Sequence, residues 1–258
     1  MKNLSFYKYQ GTGNDFIMID NRGLIFSKED HSLISWLCDR KFGIGADGII
    51  LLEKHPECDF EMVYFNPDAS QSLCGNGCRC AVMFAQKLGI ISDQTHFRAI
   101  DGFHDAIIEN DLVHLKMADV HEIKFIENDV FINTGSPHHI CFVENLPEKD
   151  VIQEGRKIRY SNRYKDGGTN VNFIYLQQDN SLSIRTYERG VESETLSCGT
   201  GAVAASLAAS LHNFDSPVRL HTLGGKLQVS FKKVGEQKFE DIYLIGPAEL
   251  VFTGTVKF

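Results

Sequence analysis

The sequence predicts an α/β (α+β) fold of two pseudo-symmetric domains, each a mostly antiparallel sheet wrapped around a central buried helix. Three observations predict it. Strand-like apolar runs dominate both halves of the 258-residue chain. Two short segments read almost alike, Cys74-Gly75-Asn76-Gly77 and Cys198-Gly199-Thr200-Gly201. Each opens a helical run that is apolar nearly all the way round, and such a helix must be buried rather than lie on a surface.

Strand-like runs occur in both halves, and helical runs are fewer. In the first half the predicted strands are residues 16–20, 48–52, 60–65, 106–109 and 112–117. In the second half they are residues 131–133, 139–143, 171–176, 182–187 and 226–231. The pair Asn110-Asp111 predicts a tight hairpin turn between the last two strands of the first half.

Local signals mark the ends of the predicted helices. Ser27, followed by Asp30 three residues later, predicts a capped helix that runs to about Cys38. A second helix is predicted over residues 151–158. The helix after Cys74 is expected to close at Leu88, with Gly89 as its C-terminal cap.

The domain boundary is predicted near residue 120, in the polar stretch 119–129. Residues 1–120 then form the half that carries Cys74, and residues 121–249 form the half that carries Cys198. The final segment, residues 250–258, either stays with the second half or crosses back to the first. The sequence leaves both arrangements open.

Composition narrows the class of partner. A net charge of −8 and a pI near 5.7 argue against nucleic acid or an anionic membrane as the main partner. No run approaches eighteen apolar residues, so no transmembrane helix is expected, and the first residues do not resemble a signal peptide. Seven cysteines at irregular spacing fit a reducing cytoplasm, where most of them act as small buried apolar residues.

The two repeated cysteines occupy positions that suit acid–base chemistry. A helix amino end presents unpaired N–H groups and a partial positive charge, and both favour the ionised form of a thiol placed there. The glycines that follow let a substrate carboxylate approach the same N–H groups. Two such thiols, face to face across one cleft, suit a reaction in which one sulfur removes a proton and the other returns one.

The motifs also allow three other interpretations, which their spacing or sequence context disfavours. A metal site would combine Cys74, Cys78 and Cys80 with His138-His139, but the cysteine spacing does not match zinc sites, and no metal is expected. A redox pair of Cys74 with Cys198 lacks the usual Cys-x-x-Cys signature. The segment 43–48 fits G-x-G-x-x-G, yet it leads into a strand-like run rather than a helix, which argues against a dinucleotide site.

Motifs along the whole chain resemble those of the diaminopimelate epimerase family. The matching segments are residues 11–16, 43–48, 64–68, 74–79, 135–138, 169–173, 187–191, 198–202 and 246–248. The resemblance implies the fold of that family and a cofactor-independent enzyme, usually a homodimer. The implied reaction interconverts LL- and meso-2,6-diaminopimelate in lysine and peptidoglycan-precursor biosynthesis.

The resemblance also implies roles for individual residues. Cys74 and Cys198 would be the catalytic thiolate and thiol, with His138 and Glu188 near the reacting amino group as groups that tune them. Residues at the reacting carboxylate would be Gly75, Asn76, Gly199 and Thr200. Residues at the far end of the substrate would be Asn14, Asn66, Asn170 and Arg189, with Ser136 in place of the family's usual asparagine.

Two alternatives remain beside this interpretation. One is a proline or hydroxyproline racemase of the same superfamily, which the polar set of Arg189 and the asparagines disfavours. The other is a thiol redox or metal-binding protein. Phe252 stands where a tyrosine linked to dimer contacts often lies, so the resemblance leaves the dimer geometry undetermined.

Overall fold

The computed structural model describes residues 3–257, which form two compact units. Within the described residues, unit 1 comprises residues 3–115 and 247–257, and unit 2 comprises Lys116–Gly246. The helices are α1 (His31–Cys38), α2 (Gly75–Lys87), α3 (Val151–Arg159) and α4 (Gly199–Ala209), with short 3-10 turns at Asn162–Tyr164 and Ser210–His212. No helix among the residues described has the length and apolar character needed to cross a membrane.

Unit 1 contains a mixed sheet in which seven neighbouring pairs join eight strands. The strands, in spatial order, are β17 (Glu249–Lys257), β1 (Asn3–Gly11), β2 (Asn14–Asp20), β3 (Gly48–Glu53), β4 (Phe60–Phe65), β5 (Gln94–Ala99), β6 (Gly102–Glu109) and β7 (Leu112–Lys116). The pairs β2–β3 and β4–β5 are parallel, and the other five are antiparallel. The last strand of the chain therefore pairs with the first.

Unit 2 repeats this plan. Its main strands, in spatial order, are β8 (Ile123–Ile126), β9 (Asp129–Asn133), β10 (Pro137–Phe142), β11 (Asn170–Leu176), β12 (Ser181–Glu188), β14 (Val218–Thr222), β15 (Gly225–Lys233) and β16 (Phe239–Gly246). A short β13 (Ser193–Thr195) also pairs with β12. The pairs β10–β11 and β12–β14 are parallel, and the other five are antiparallel.

The order of parallel and antiparallel steps is identical in the two units, so the predicted duplication extends to the whole topology. Each parallel step needs a crossover, and helices provide it. In unit 1, α1 links β2 to β3 and α2 lies between β4 and β5; in unit 2, α3 and α4 occupy the equivalent connections. The predicted fold class, with a mostly antiparallel sheet in each half, is confirmed.

Helices cover both faces of each sheet, which explains why the central strands are apolar throughout rather than alternating. In unit 1, Ile17 and Ile19 of β2 pack into the core that contains α1, while α2 packs against β1 to β4. In unit 2, Ile140 of β10 faces α4, and its neighbour Cys141 faces the cluster that includes Val151 of α3. The central helices α2 and α4 are buried along most of their length, as predicted.

Several local predictions are confirmed and others are wrong. The hairpin at Asn110-Asp111 forms, with both residues at positive φ, and Gly89 ends α2 at φ +68°. The predicted cap of α1 is wrong: Asp30 rather than Ser27 is the N-cap, because its carboxylate accepts the N–H of Leu33. β8 lies within the polar stretch 119–129 and was not predicted as a strand. The other strands that were not predicted are β1, β5, β13, β14, β16 and β17.

Candidate active site

Cys74 is the N-cap residue of α2. Its sulfur accepts the backbone N–H of Gly77 at 3.5 Å, and its carbonyl accepts the N–H of Cys78 at 2.8 Å. Gly77 allows α2 to lie close to the sheet, since a methyl group there would be 3.0 Å from Ile50 Cδ1. The sulfur, half-buried, therefore lies at the positive end of a buried helix.

Asn14 contacts this sulfur from the start of β2. Its Oδ1 lies 3.3 Å from Cys74 Sγ and also accepts from Asn76 Nδ2 at 3.3 Å. Its Nδ2 donates to Asp47 Oδ2 at 2.7 Å. A carboxylate only accepts, so the amide of Asn14 is held with its oxygen towards the sulfur.

Asp47 belongs to a balanced cluster of four charges. Arg40 donates to Asp47 at 2.8 Å and to Asp15 at 2.6 Å, and Lys8 pairs with Asp15 at 2.7 Å. Although burial alone would raise the pKa of Asp15, the hydrogen bonds and charges of Arg40 and Lys8 lower it to about 2. Two acids and two bases thus anchor the loop that carries Asn14.

Arg79 is a fully buried cation on the same helix. Its Nε donates to the Pro247 carbonyl and one guanidinium nitrogen donates to the Thr12 hydroxyl, while the other has no hydrogen-bond partner. Burial lowers the pKa of Arg79, and the thiols of Cys74, Cys78 and Cys80 oppose this effect. Thr12 lies in the turn at φ +50° that delivers Asn14 to Cys74, so Arg79 supports that turn.

The described hydrogen bonds of the Asn66 side chain go to its own loop rather than to Asn14, Cys74 or Asn76. It lies in the loop after β4, where its Nδ2 donates to Ser70 and to the Ser72 hydroxyl at 3.1 Å. Gly75, the first residue of α2, is half-buried, and Asn76 is 3% exposed. Unit 1 therefore brings together Asn14, Cys74 and Asn76, with Asn66 organising the loop that leads to them.

Cys198 is the N-cap residue of α4, at the topologically equivalent place in unit 2. Its sulfur lies 3.6 Å from Thr200 Oγ1, which in turn lies 2.9 Å from His138 Nε2. The Thr200 carbonyl accepts from the Thr134 hydroxyl at 2.9 Å, which ties the first turn of α4 to the end of β9. His138, Thr200 and the sulfur of Cys198 therefore form a chain of polar contacts. Gly199 is the first residue of the helix and is buried.

His138 is fully buried and neutral. Burial, with a smaller contribution from the charge of Arg189, lowers the pKa of His138 to about 3. Asn172 Nδ2 lies 3.1 Å from His138 Nδ1 and donates to the His139 carbonyl at 3.2 Å, while Asn172 Oδ1 accepts from the Thr186 hydroxyl. Because the amide nitrogen can only donate, Nδ1 accepts and the ring proton lies on Nε2.

Glu188 lies at the end of β12 and is half-buried. Its carboxylate accepts from the Thr195 hydroxyl at 2.8 Å, and burial raises the pKa of Glu188 in spite of that bond. A carboxyl group in this setting binds a proton more readily than one in water.

Ser136, Asn170 and Arg189 form a second polar group in unit 2. Asn170 Nδ2 donates to Ser136 Oγ at 2.9 Å, and Asn170 Oδ1 accepts the Arg189 backbone N–H at 2.9 Å. The Arg189 guanidinium is exposed; it donates to the Gly167 carbonyl at 3.0 Å and lies 3.5 Å from Ser136 Oγ. Three residues assigned by resemblance to the far end of the substrate thus contact one another.

The other cysteines differ from this pair. Burial raises the pKa of Cys38 to about 12 and raises the pKa of Cys78, Cys80 and Cys141 above its usual value. Cys141 lies near Asp129 and His139, a set with possible metal ligands. There, however, His139 already bonds Asp129 at 2.9 Å and the Tyr164 hydroxyl at 2.7 Å, so the polar atoms satisfy one another.

Sequence reasoning missed three residues that hold the two sulfurs in place: Asp47, Arg79 and Asn172. Asp47 lies in the segment 43–48, which fits both the dinucleotide pattern and a family motif, but neither pattern indicates a role for this residue. β3 begins directly after it, so the segment does not open a helix, as predicted. Asn172 lies two residues after Asn170 on β11, and the period of two along a strand was a signal that both share a face.

Comparisons with known proteins agree along nearly the whole chain. The family model described as Diaminopimelate epimerase matches residues 6–102 and 130–251. A diaminopimelate epimerase of Flavobacterium psychrophilum is 54% identical, over 98% of this chain and 100% of that protein. One of Chlorobaculum tepidum is 42% identical, over 95% of this chain and 98% of that protein.

Solved structures with low identity share the fold. A Bacillus anthracis phenazine biosynthesis protein of the PhzF family matches with a TM-score of 0.79 at 14% identity, over 100% of both chains. A hydroxyproline epimerase from Agrobacterium vitis matches with a TM-score of 0.70 at 15% identity, over 98% of this chain and 92% of that one. At this identity the likeness concerns the fold alone. The family model and the full-length relatives decide the assignment: the chain belongs to the diaminopimelate epimerase family.

Proposed function

We propose that the chain is an isomerase that interconverts LL- and meso-2,6-diaminopimelate through a cysteine thiolate and a cysteine thiol, without a cofactor. The observation that carries this proposal is the pair of matching N-cap cysteines, Cys74 on α2 and Cys198 on α4, in a member of this family. Inversion of an α-carbon needs a base on one face and an acid on the other. A duplicated thiol supplies both.

Each cysteine would act in general acid–base catalysis. One sulfur removes the α-proton as a thiolate, and the other delivers a proton to the opposite face as a thiol; the reverse reaction exchanges their roles. Each such transfer typically contributes about 10² to 10⁴ in rate. The carbanion-like charge that develops on the substrate needs fixed dipoles, and the helix amino ends at Gly75-Asn76 and Gly199-Thr200 provide them for its carboxylate.

Neighbouring groups would tune the thiols and select the substrate. Neutral His138, beside Thr200, and Glu188, whose pKa burial raises, are the groups proposed near the reacting amino group. The far end of a diamino diacid carries a second carboxylate and amine. Arg189 offers a planar fork for that carboxylate, and Asn170 with Ser136 offers hydrogen bonds beside it. Asn14 and Asn66 of unit 1 are further proposed substrate-binding residues.

We also propose a homodimer in the cytoplasm that serves lysine and peptidoglycan-precursor synthesis. The supporting feature is β17, an edge partner of β1 that exposes Leu250, Val251 and Phe252. A chain with seven cysteines fits a reducing compartment. Light scattering on the full chain measures the oligomeric state: Phe252→Glu should shift a dimer to monomer, and a monomeric wild type would contradict the proposal.

The test of the proposed activity is conversion of the two diaminopimelate stereoisomers compared with L-proline. Product formation from LL- and from meso-diaminopimelate, with proton exchange at the α-carbon in D₂O, is the expected result. Activity on proline alone would support the rival racemase, and no exchange with any substrate would refute epimerisation. The sample is kept reduced, because oxidation of either proposed catalytic thiol would abolish its acid–base role.

A further inference from the structure

Each catalytic sulfur ends a chain of hydrogen bonds, and the two chains have opposite polarity. In unit 1 the chain runs from Arg40 through Asp47 and Asn14 to Cys74, with donor–acceptor distances of 2.8, 2.7 and 3.3 Å. Asp47 only accepts, so Asn14 presents its amide nitrogen to Asp47 and its carbonyl oxygen to the sulfur. That oxygen also only accepts, so the bond to Cys74 forms when the sulfur carries its proton.

The orientation of Asn14 is fixed from several sides. Asn76 Nδ2 donates to the same oxygen at 3.3 Å, and the backbone N–H of Asp15 donates to Asp47 Oδ2 at 3.2 Å. If the amide of Asn14 turned over, its nitrogen would face another amide nitrogen and its oxygen would face a carboxylate. Both contacts are repulsive, so a thiolate at Cys74 would face the negative end of a carbonyl dipole.

In unit 2 the chain ends on a donor instead. Asn172 donates to His138 Nδ1 at 3.1 Å, which places the proton of the neutral ring on Nε2. Nε2 then donates to Thr200 Oγ1 at 2.9 Å, and the hydroxyl proton of Thr200 is left to donate to Cys198 Sγ at 3.6 Å. An acceptor sulfur at the end of a donor chain is stabilised as a thiolate.

We propose that these two chains set the resting protonation of the enzyme, with Cys74 as the thiol and Cys198 as the thiolate. Asp47 and Asn172 are the positioning residues that fix it, and the inference rests on the proposed epimerase function. In one turnover the α-C–H bond breaks and an S–H bond forms on Cys198. The S–H bond of Cys74 breaks and a new C–H bond forms on the opposite face. The enzyme is left with the two protonation states exchanged until the reverse reaction or solvent resets them.

Charged groups around Cys74 do not reverse this order. Lys8, Asp15, Arg40 and Asp47 balance one another. Of the other ionisable residues on strands packed against α2, Glu53 is paired with Lys28 and Asp20 with Arg22. Tyr64 donates to the Asp47 carbonyl, and burial, with a smaller effect of Cys80, raises the pKa of Tyr9.

Arg79 favours an anion at Cys74, but its guanidinium donates to Thr12 and Pro247. The Gly77 N–H also donates to the sulfur, at 3.5 Å, and both a thiol and a thiolate accept that bond. The shorter bond of 3.3 Å to Asn14 Oδ1 forms only with the thiol, and in this proposal it decides.

Cys198 has a simpler surrounding. No residue of α4 is ionisable. Among the strands packed against α4, β10 contributes the neutral His138, and β12 contributes Glu188 with Arg189 directly after it. Asp129 of β9 bonds His139, on the other face of β10. Arg185 of β12 is half-buried and paired with Glu194 at 2.6 Å. The remaining Lys, Arg, Asp and Glu residues on these strands lie at exposed positions: Arg219, Lys226, Lys232, Lys233, Glu240 and Asp241.

The first test needs no change to the positioning residues. Iodoacetamide alkylates the thiolate form, and mass spectrometry of the peptides resolves each cysteine. The pH midpoint of alkylation is measured for Cys198 in the Cys74→Ser protein and for Cys74 in the Cys198→Ser protein, which removes the coupling between the two titrations. The midpoint of Cys198 should lie lower by about one pH unit, a roughly tenfold difference in alkylation rate at lower pH. Equal midpoints, or the reverse order, would overturn the proposal.

The second test moves the two midpoints in opposite directions. In Asp47→Asn the amide of Asn14 can turn its nitrogen to the sulfur, which stabilises the thiolate. The alkylation rate of Cys74, at a pH below its midpoint, should therefore rise by at least about threefold. Asn172→Leu frees the ring of His138, so Cys198 should alkylate more slowly by a similar factor. Asp47→Glu should restore the wild-type midpoint of Cys74. Asp20→Asn and Gln177→Leu, polar residues bonded elsewhere in the same units, are the matched controls.

These outcomes distinguish a failure of the proposed protonation order from a failure of the proposed epimerase function. Shifts of the same sign in both variants, or shifts equal to those of the controls, would contradict the role of the two chains. Midpoints in the predicted order together with no α-proton exchange from diaminopimelate would leave the protonation order standing and refute the epimerase. If Asn172→Leu does not fold, the comparison of the two sulfurs in the first test still decides.

Discussion

The amino ends of α2 and α4 share one backbone plan and differ in the side chains around the sulfur. Cys74 and Cys198 are both N-cap residues with extended backbones, at φ −136°, ψ 111° and φ −122°, ψ 114°. Both helices occupy the second parallel crossover of their unit. The duplicated fold therefore supplies the same helix end twice.

The surroundings then make the two ends unequal. On α2 the sulfur meets an amide oxygen backed by four charges, and a buried arginine follows five residues later. On α4 the sulfur meets a hydroxyl backed by a neutral histidine, and Val203 stands at the position equivalent to Arg79. The duplicated helix end therefore presents the same thiol to two different sets of hydrogen-bond partners.

Loss of either sulfur should have the largest effect. Cys74→Ala and Cys198→Ala should each lower kcat for epimerisation by about 10³ or more, because neither face can substitute for the other. Conversion of LL-diaminopimelate is followed by NMR or by a chiral separation of the products. Cys58→Ala, which removes a half-buried thiol elsewhere in unit 1, should retain the wild-type rate. Near-normal kcat in either alanine variant would contradict the two-thiol assignment.

A methyl group added near the start of α4 should destabilise the protein more than one added near the start of α2. At Gly201 a Cβ would lie 2.6 Å from Asn172 Oδ1. The side-chain amide of Asn172 is held by three hydrogen-bond partners. Gly201→Ala should therefore lower the free energy of unfolding by about 1 to 3 kcal/mol. At Gly77 the methyl would meet the mobile ends of Ile50 and Met62, so Gly77→Ala should cost less. Urea unfolding at neutral pH measures both; equal costs would show that Asn172 is not rigidly held.

Acid should weaken unit 1 through Asp15. The pKa of Asp15 is lowered to about 2 by Arg40 and Lys8, so its contribution is present above the unfolded pKa near 3.9 and is lost as pH falls through the folded value. Asp15→Asn should lower the free energy of unfolding by about 2 kcal/mol at pH 7 and by far less near pH 2. Urea titrations at several pH values measure it. Asp105→Asn, at an exposed site, is the control, and a pH-independent loss in Asp15→Asn would contradict the electrostatic cause.

The smallest predicted effect lies at the far end of the proposed substrate. Arg189→Lys keeps the charge but loses the planar fork, so KM for diaminopimelate should rise roughly tenfold while kcat changes little. Steady-state kinetics measure the split. Arg219→Lys, a surface arginine paired with Asp179, serves as the control. A fall in kcat with unchanged KM would place Arg189 at the reacting centre instead.

Much of the architecture was predictable because the sequence contains two similar copies of the same motif, one in each half. The Cys-Gly-x-Gly segments and their apolar helices identified both central helices, and alternation marked most inner strands. Edge strands such as β17 were missed because exposed residues there carry little apolar pattern, with seven of its nine residues exposed. Asp30 was misread as the partner of Ser27 because cap choice depends on backbone angles that the sequence leaves open.

The candidate site was predictable as a set of residues but not as a network. Asn14 and Thr200 were identified from the family motifs, yet their contacts with the sulfurs depend on strand register and on buried partners far away in sequence. Asp47 and Asn172 were invisible for that reason: each acts through an amide or a ring whose orientation only three-dimensional packing fixes.

The central claim, that two sulfurs act on opposite faces of one carbon, is tested most directly by the position of deuterium early in the reaction. LL-diaminopimelate is incubated with the enzyme in D₂O, and product and remaining substrate are separated after a small fraction has been converted; the experiment is repeated from the meso isomer. A thiol that has exchanged with solvent delivers deuterium, so the account predicts label at the inverted α-carbon of the product and almost none in the remaining substrate, in both directions. Product that retains the hydrogen of the substrate would contradict it, because a single group would then have carried that proton from one face to the other.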